Sequence, residues 1–354
     1  VTAREDIHRA NEKALQYWTS GANGHAAVSY LRRRGINPAA LPEAYRVGYA
    51  RAGRTDLVHH IPPVERPAAL AAGLIVTTPD GRLIDRFRHR VMFPIREPDG
   101  LIAGFIGRSM STDPTAPKYL NTAASQTFTK SRLFYGLYEA AQAGGRYPVL
   151  VEGPLDTVAL AATAEGHDLL PIATGGAALT TQHATQLATW CRHHNVEPVI
   201  AYDPDSAGCA AALRAGELLC DDHGLNAYIA ALPAGLDPAD HLATCGDLTP
   251  YRARPTGTAI PLAAAVTEQI ITAHHGRSNP DWPETKLRIA HDIGGHLAGY
   301  GEALFPRAAA GACSIATARA GIHPDTLLQA IAACRPRPDI DVTHGAPAIA
   351  GRAL

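Results

Sequence analysis

Five acidic residues of this chain fall where an alternation of short apolar runs and helical stretches would bring them together. Glu152 follows the run Val149-Leu150-Val151, Asp203 and Asp205 follow Pro198-Val199-Ile200-Ala201-Tyr202, and Asp237 and Asp240 follow the run that begins at Ala227-Tyr228-Ile229-Ala230 and extends to Leu232. If those runs are strands, three strand ends present carboxylates to one rim. Carboxylates crowded in this way repel one another and shift upward in pKa, and bound hard cations are the simplest relief. Oxygen donors alone select Mg2+ or Mn2+, one or two ions, over softer metals. The plainer alternative is that each acid only serves the helix after it, with Asp203 or Asp205 capping a helix from Ser206 and Asp156 in a first turn.

A second set of residues is basic. Arg86, Arg88 and Arg90 alternate within Asp85-Arg86-Phe87-Arg88-His89-Arg90. Read as a strand, this segment points all three to one face, and three adjacent cations call for an anion. An edge strand guarded by charge is the competing explanation. Lys118, beside Tyr119 and Asn121, and Lys130 lie in short loops next to aromatics, where residue type alone suggests solvated lysines. Residues 1–145 hold 19 Lys and Arg against 12 Asp and Glu, and residues 146–354 hold 13 against 21, so a net charge of −1 divides into +7 and −8. A basic surface and an acidic metal-binding surface in one chain suit an enzyme acting on polyanions.

The elements that must position these residues can be read from periodicity. The first fifty residues have helical apolar spacing (Ala14, Leu15, Tyr17, Trp18, then 25–34), interrupted at Ser20-Gly21 and Gly35. Between 70 and 110, short runs separated by Pro79-Asp80-Gly81 and Pro98-Asp99-Gly100 predict an antiparallel sheet with hairpins. From 148 to 240, strand-like runs alternate with helical stretches at 155–165, 181–194 and 206–222, which predicts a mostly parallel sheet covered by helices, with ligands beyond the strands' carboxyl ends. Residues 249–261 read as a linker, and an Ala-rich helical bundle with a turn at Gly321-Ile322-His323-Pro324 follows. The expected fold class is α/β, or α+β overall. It comprises a basic N-terminal α+β lobe (1–145), a Rossmann-like parallel-sheet domain (146–248), a helical subdomain (260–333) and a disordered tail (334–354).

Composition excludes several classes. With 354 residues and 46% hydrophobic content the chain can bury a large core. No apolar run approaches the length needed to span a bilayer, and Arg4, Glu5, Asp6 and His8 occupy the place of a signal peptide's apolar core, so a cytoplasmic protein without membrane partners is expected. The six cysteines (Cys191, Cys209, Cys220, Cys245, Cys313, Cys334) lack the close pairing of zinc ribbons. Neither zinc nor a disulfide framework is expected, and mostly buried, reduced thiols are.

Glu152-Gly153-Pro154-Leu155-Asp156, the loop from Ala173 through Thr174-Gly175-Gly176-Ala177-Ala178-Leu179 to Thr180, Asp203-Pro204-Asp205-Ser206-Ala207-Gly208 and Pro233-Ala234-Gly235-Leu236-Asp237-Pro238-Ala239-Asp240 resemble, in order and spacing, the motifs of the TOPRIM domain shared by primases, topoisomerases and some nucleases. Asp85 through Ile95, Pro117-Lys118-Tyr119-Leu120-Asn121 and Phe128 through Leu137 resemble the basic motifs of the DnaG-type bacterial primases. Tyr30-Leu31-Arg32-Arg33-Arg34-Gly35-Ile36 and Arg46 through Ala50 are similar to the start of the same polymerase core. The resemblance covers residues 10–245 in collinear order.

It implies an enzyme that builds short RNA primers on single-stranded DNA. Glu152, Asp203 and Asp205 would be catalytic and hold the metal with help from Asp237 and Asp240, while Arg86, Arg88, Arg90, Lys118, Tyr119, Asn121 and Lys130 would contact nucleotide and template. It also implies nucleoside triphosphates, a single-stranded template and a replicative helicase as partners. Two departures stand out. Ala239 occupies a place where the family often has a carboxylate, leaving Asp237, Asp205 and water for a second ion. No zinc-binding domain precedes the core, so such a module is expected to be supplied separately. A TOPRIM nuclease using the same acids on water, and a catalytically weak primase-like protein that binds single-stranded DNA, are the rivals. A fused helicase is not expected, because the chain holds no Gly-x-x-x-x-Gly-Lys-Ser/Thr loop.

Overall fold

The computed structural model describes residues 2–334 apart from 114, 164–167, 177, 254, 277, 278, 280 and 303. Helices α1 (Arg4–Thr19) and α2 (Gly21–Arg33) open the chain, followed by β1 (Gly48–Ala50), α3 (Asp56–His60), α4 (Arg66–Ala71), β2 (Ile75–Thr77), β3 (Leu83–Asp85), β4 (Arg90–Arg96), β5 (Ile102–Ser109) and β6 (Tyr119–Asn121). Strands β1-β4-β5-β6 form an antiparallel sheet, and β2 and β3 pair separately. Both expected hairpins are present, with Gly81 and Gly100 at positive φ in their turns. Trp18 of α1 anchors the sheet by packing edge-on against Phe87 and Phe105, with ring centroids 5.9 and 4.9 Å away.

Segment 86–89 is not a strand, contrary to the alternation of its arginines. The Asp85 carboxylate ends β3 by accepting from the Leu57 and Val58 backbone amides (2.8 and 3.0 Å) at the start of α3. His89, at φ +52°, then turns the chain into β4. Arg86 and Arg88 therefore lie on a connection, and the three arginines share no strand face.

Helix α5 (Leu137–Gln142) leads into β7 (Tyr147–Val151), α6 (Pro154–Ala161), β8 (Leu169–Ala173), α7 (Thr181–His194), β9 (Val199–Ile200), α8 (Ser206–His223), β10 (Tyr228–Ile229), α9 (Pro238–Cys245) and β11 (Ile260–Pro261). The sheet order is β11-β10-β9-β7-β8, parallel except for β11. The expected linker 249–261 is instead folded onto this sheet. Tyr251 is fully buried, Arg252 makes a two-pronged ion pair with Asp168 (2.7 and 2.6 Å), and β11 pairs with β10.

One hydrophobic core joins the basic lobe to the parallel sheet, running from Leu31 and Phe93 through Tyr135 to Val149–Val151 and Ile172. Tyr135 adds a two-bond bridge to Ala173 at the edge of β8, each bond 2.9 Å. Residues 1–266 with 301–304 accordingly form one compact unit. The second unit, 267–300 and 305 onward, holds the rest of α10 (Leu262–His275) with α11 (Pro283–Ala298), α12 (Phe305–Ala320) and α13 (Pro324–Cys334). Gly294 lets α11 and α13 touch, since a Cβ there would lie 2.8 Å from the Ala330 carbonyl carbon. The tail expected at 334–354 lies outside the described residues beyond Cys334. None of the six cysteines forms a disulfide; Cys191 and Cys220 are buried, Cys313 and Cys334 half-buried, and Cys209 and Cys245 exposed. No helix among the described residues is long and apolar enough to cross a membrane.

Candidate active site

Adjacent strands β7 and β9 deliver the first two acids. Glu152 Oε1 accepts from the Asp203 backbone amide at 3.2 Å. Gly208 makes room for this pair, since a Cβ there would sit 2.9 Å from Glu152 Oε1 and 2.2 Å from the Asp203 carbonyl oxygen. Asp205 caps α8 through Gly208 N (2.7 Å), and Asp237 caps α9 through Asp240 N (2.7 Å). The capping role is thus real for both, yet it occupies one carboxylate oxygen of each. Asp240 is half-buried, and its Oδ1 accepts from Arg34 Nη2 at 3.1 Å.

Asp156 was read from sequence only as a first-turn helix residue. It lies buried beneath the rim, accepting from Ala239 N at 3.3 Å. Burial, then the charges of Asp237 and Asp203, push its carboxyl up to about 7. Asp203 is pushed up to about 6 by burial, then by Glu152 and Asp237, with Lys118 opposing. These mutual effects place Glu152, Asp156, Asp203, Asp205 and Asp237 in one under-compensated acidic cluster. Among the described residues no three such side chains already form a cation cage. The donor set nonetheless fits a hard cation: it is all oxygen and crowded, and burial and neighbouring acids raise Asp156 and Asp203 within it.

The basic lobe reaches this rim through β6 and the loops beside it. Tyr119 Oη accepts from Arg108 Nη1 (2.7 Å), and a Cβ on Gly153 would meet that oxygen at 3.0 Å. Lys118 Nζ and the Arg108 guanidinium lie 5.8 and 5.5 Å from the Tyr119 ring centroid. Asn121 Nδ2 donates to the Gly175 carbonyl (3.3 Å) and Lys130 Nζ to the Gly176 carbonyl (3.1 Å), while Gly176 N donates to the Glu152 carbonyl (3.3 Å). Gly175 and Gly176 have φ of +67° and +79°, which explains the glycine pair, and Ala177 of this loop lies outside the described residues. Arg86 Nη2 donates to the Asn121 carbonyl (3.1 Å), and Arg86 Nε and Asn121 Oδ1 are buried with no partner among the described residues.

The other two arginines diverge. Arg90 is buried, with Nη1 on the carbonyls of Gly107 (2.9 Å) and Pro117 (3.0 Å), so it braces the turn into β6, whereas Arg88 is exposed and bonded to the Asp85 carbonyl. Sequence reasoning missed Asp156, Arg108 and Arg34 as site residues. Asp156 and Arg34 lie inside motifs, but the partners that define their place are 83 and 206 positions away.

A parallel sheet with acids at its carboxyl rim, sharing one core with a basic antiparallel sheet, places the chain among Toprim-bearing proteins of nucleic-acid metabolism. Residues 149–242 match the family model described as Toprim-like, and residues 16–141 match that described as DNA primase catalytic core, N-terminal domain. A solved DNA primase domain from Pseudomonas aeruginosa is 30% identical, with a TM-score of 0.71 over 92% of this chain and 99% of that one. A DnaG primase catalytic domain bound to ssDNA is 27% identical, with a TM-score of 0.71 over 91% of this chain and 98% of that one. DNA primase of Listeria monocytogenes is 32% identical over 246 residues, which are 68% of this chain and 38% of that protein. The chain belongs to the family of DnaG-type primase catalytic cores. It spans about two fifths of the length of the curated relatives it matches.

Proposed function

We propose that this chain is the polymerising core of a DNA primase, joining nucleoside triphosphates into short RNA primers on a single-stranded DNA template. The observation that carries this reading is the bonding of Asn121 and Lys130, from the basic lobe, to the glycine loop whose Gly176 amide holds the Glu152 carbonyl. This bonding supports the reading because it holds Asn121 and Lys130, the proposed nucleotide and template contacts, to the loop beside the acids, which a nuclease acting through water does not require.

Glu152, Asp203 and Asp205 would hold Mg2+ or Mn2+, with Asp237 next to them. When bound, the ion supplies Lewis acidity at the primer 3′-hydroxyl and counter-charge at the reacting phosphate. Lys118 and Lys130 would balance triphosphate charge, and Arg86, whose buried Nε has no partner among the described residues, would add positive charge toward nucleotide or template. Arg88 adds an exposed template contact. Tyr119, tied to Arg108, holds Lys118 over the rim. Arg90 acts only by bracing the turn that presents Lys118. A replicative helicase is the proposed partner, and the cytoplasm the proposed compartment.

Incorporation of labelled nucleoside triphosphates on mixed single-stranded templates with Mg2+ or Mn2+ tests the reading. Short products lost in Asp203→Ala support it. Metal-dependent template cleavage without nucleotides would replace it with the nuclease, and metal-independent DNA binding without synthesis, even on an annealed RNA primer, with the weak binding protein.

A further inference from the structure

We infer that Arg34 is a built-in counter-cation for the Asp237–Asp240 end of the acidic rim, so that the rim takes one divalent ion, on the Glu152–Asp203–Asp205 side, and not two. This rests on the metal-dependent reading above and deepens it.

The geometry begins at the end of α2. Arg34 is the C-cap residue, its amide bonded back to the Tyr30 and Leu31 carbonyls at 3.2 and 3.0 Å. Gly35 follows at φ +73°, and a Cβ there would lie 2.6 Å from the Ala243 Cβ of α9, so the end of α2 is pressed directly on α9. This contact roots the guanidinium beside the first turn of α9. Nη2 sits 3.1 Å from Asp240 Oδ1 and 3.9 Å from Asp237 Oδ2.

Three of the four carboxylate oxygens at this end are thereby engaged or face the guanidinium. Asp237 Oδ1 caps α9, and Oδ2 faces the guanidinium. Asp240 Oδ1 is bonded to Arg34, and Ala239 supplies no carboxylate, its amide donating to Asp156. The two carboxylates and one guanidinium leave a net charge of about −1 there, whereas Glu152, Asp203 and Asp205 carry about −3 and, among the described residues, form no ion pair with an Arg or Lys of the basic lobe. A divalent ion at the Asp237–Asp240 end would have to approach a fixed cation within a few ångströms, and that repulsion alone lowers affinity by about tenfold or more. A guanidinium cannot relieve it by losing its proton.

The test counts bound Mn2+ on the full chain, free of DNA and nucleotide, by the loss of the free-ion EPR signal. The native chain should bind one ion, Arg34→Lys should still bind one, and Arg34→Gln should gain a second. Two ions on the native chain, or one ion of unchanged affinity on a folded Arg34→Gln, overturns the inference. Should Arg34→Gln not fold by circular dichroism, the doubly substituted Asp237→Asn, Asp240→Asn chain decides: an unchanged single ion supports the inference and its loss refutes it. The parent reading fails separately, if Asp203→Asn leaves Mn2+ binding intact.

Discussion

Replacing Asp156 by Asn should make the metal-free protein more stable at pH 8 and scarcely change it at pH 4. The carboxyl is raised in the fold to about 7, from 3.8, by burial and then by Asp237 and Asp203. Between those values the folded chain binds a proton that the unfolded chain has released. Stability from this group is therefore fully present below 3.8 and is lost as pH rises toward 7. Summed over that window the loss is about 4 kcal/mol at pH 8 and under about 1 kcal/mol at pH 4. Asn keeps the oxygen that accepts from Ala239 N at 3.3 Å, cannot ionise, and turns an N–H donor toward the same acids that disfavour the Asp156 charge. Urea unfolding of both chains in chelator, at each pH, gives the double difference directly, and effects common to both chains cancel. A stability gap that stays constant or narrows between pH 4 and pH 8 would refute the reasoning, because it would mean that Asp156 is not held as a buried, disfavoured anion.

Glu152→Gln should abolish nucleotide incorporation while leaving the melting temperature within a few degrees, and unchanged synthesis would remove Glu152 from the site. Gly208→Ala should destabilise the chain by about 2 kcal/mol or more and weaken Mn2+ binding, since its Cβ would collide with the Asp203 carbonyl at 2.2 Å. The readouts are urea unfolding and EPR titration. Arg90→Ala should cost about 2 kcal/mol by removing the buried donor that ties the Gly107 and Pro117 carbonyls together, measured by denaturant unfolding. Arg88→Ala should leave stability unchanged yet lower single-stranded DNA affinity and reduce its logarithmic salt slope by about 1, measured by fluorescence anisotropy across salt concentrations.

The contrast between Arg88 and Arg90 also shows where sequence reading stops. Both follow the same alternation, and an extended connection alternates as a strand does, so periodicity could not separate them. What separates them is His89 in the left-handed region, an uncommon conformation for a residue other than glycine, and the non-local carbonyls of Gly107 and Pro117. Glu152, Asp203 and Asp205 were legible because each is fixed by its own strand and the helix after it, a local pattern of apolar run, acid and cap. Segment 249–261 was misread because its Pro, Gly and Thr content is that of a loop, whereas Tyr251, the Arg252–Asp168 pair and the β10–β11 ladder tie it to residues far away. Asp156 and Arg34 belong to the same class: each was visible as a residue, and its role is set by an electrostatic neighbour brought in by packing. Positions fixed by one strand and its turn can be found in a single sequence, but the charge balance of this rim depends on α2 meeting α9, so the single cation proposed for it rests on a tertiary contact that the motifs themselves do not contain.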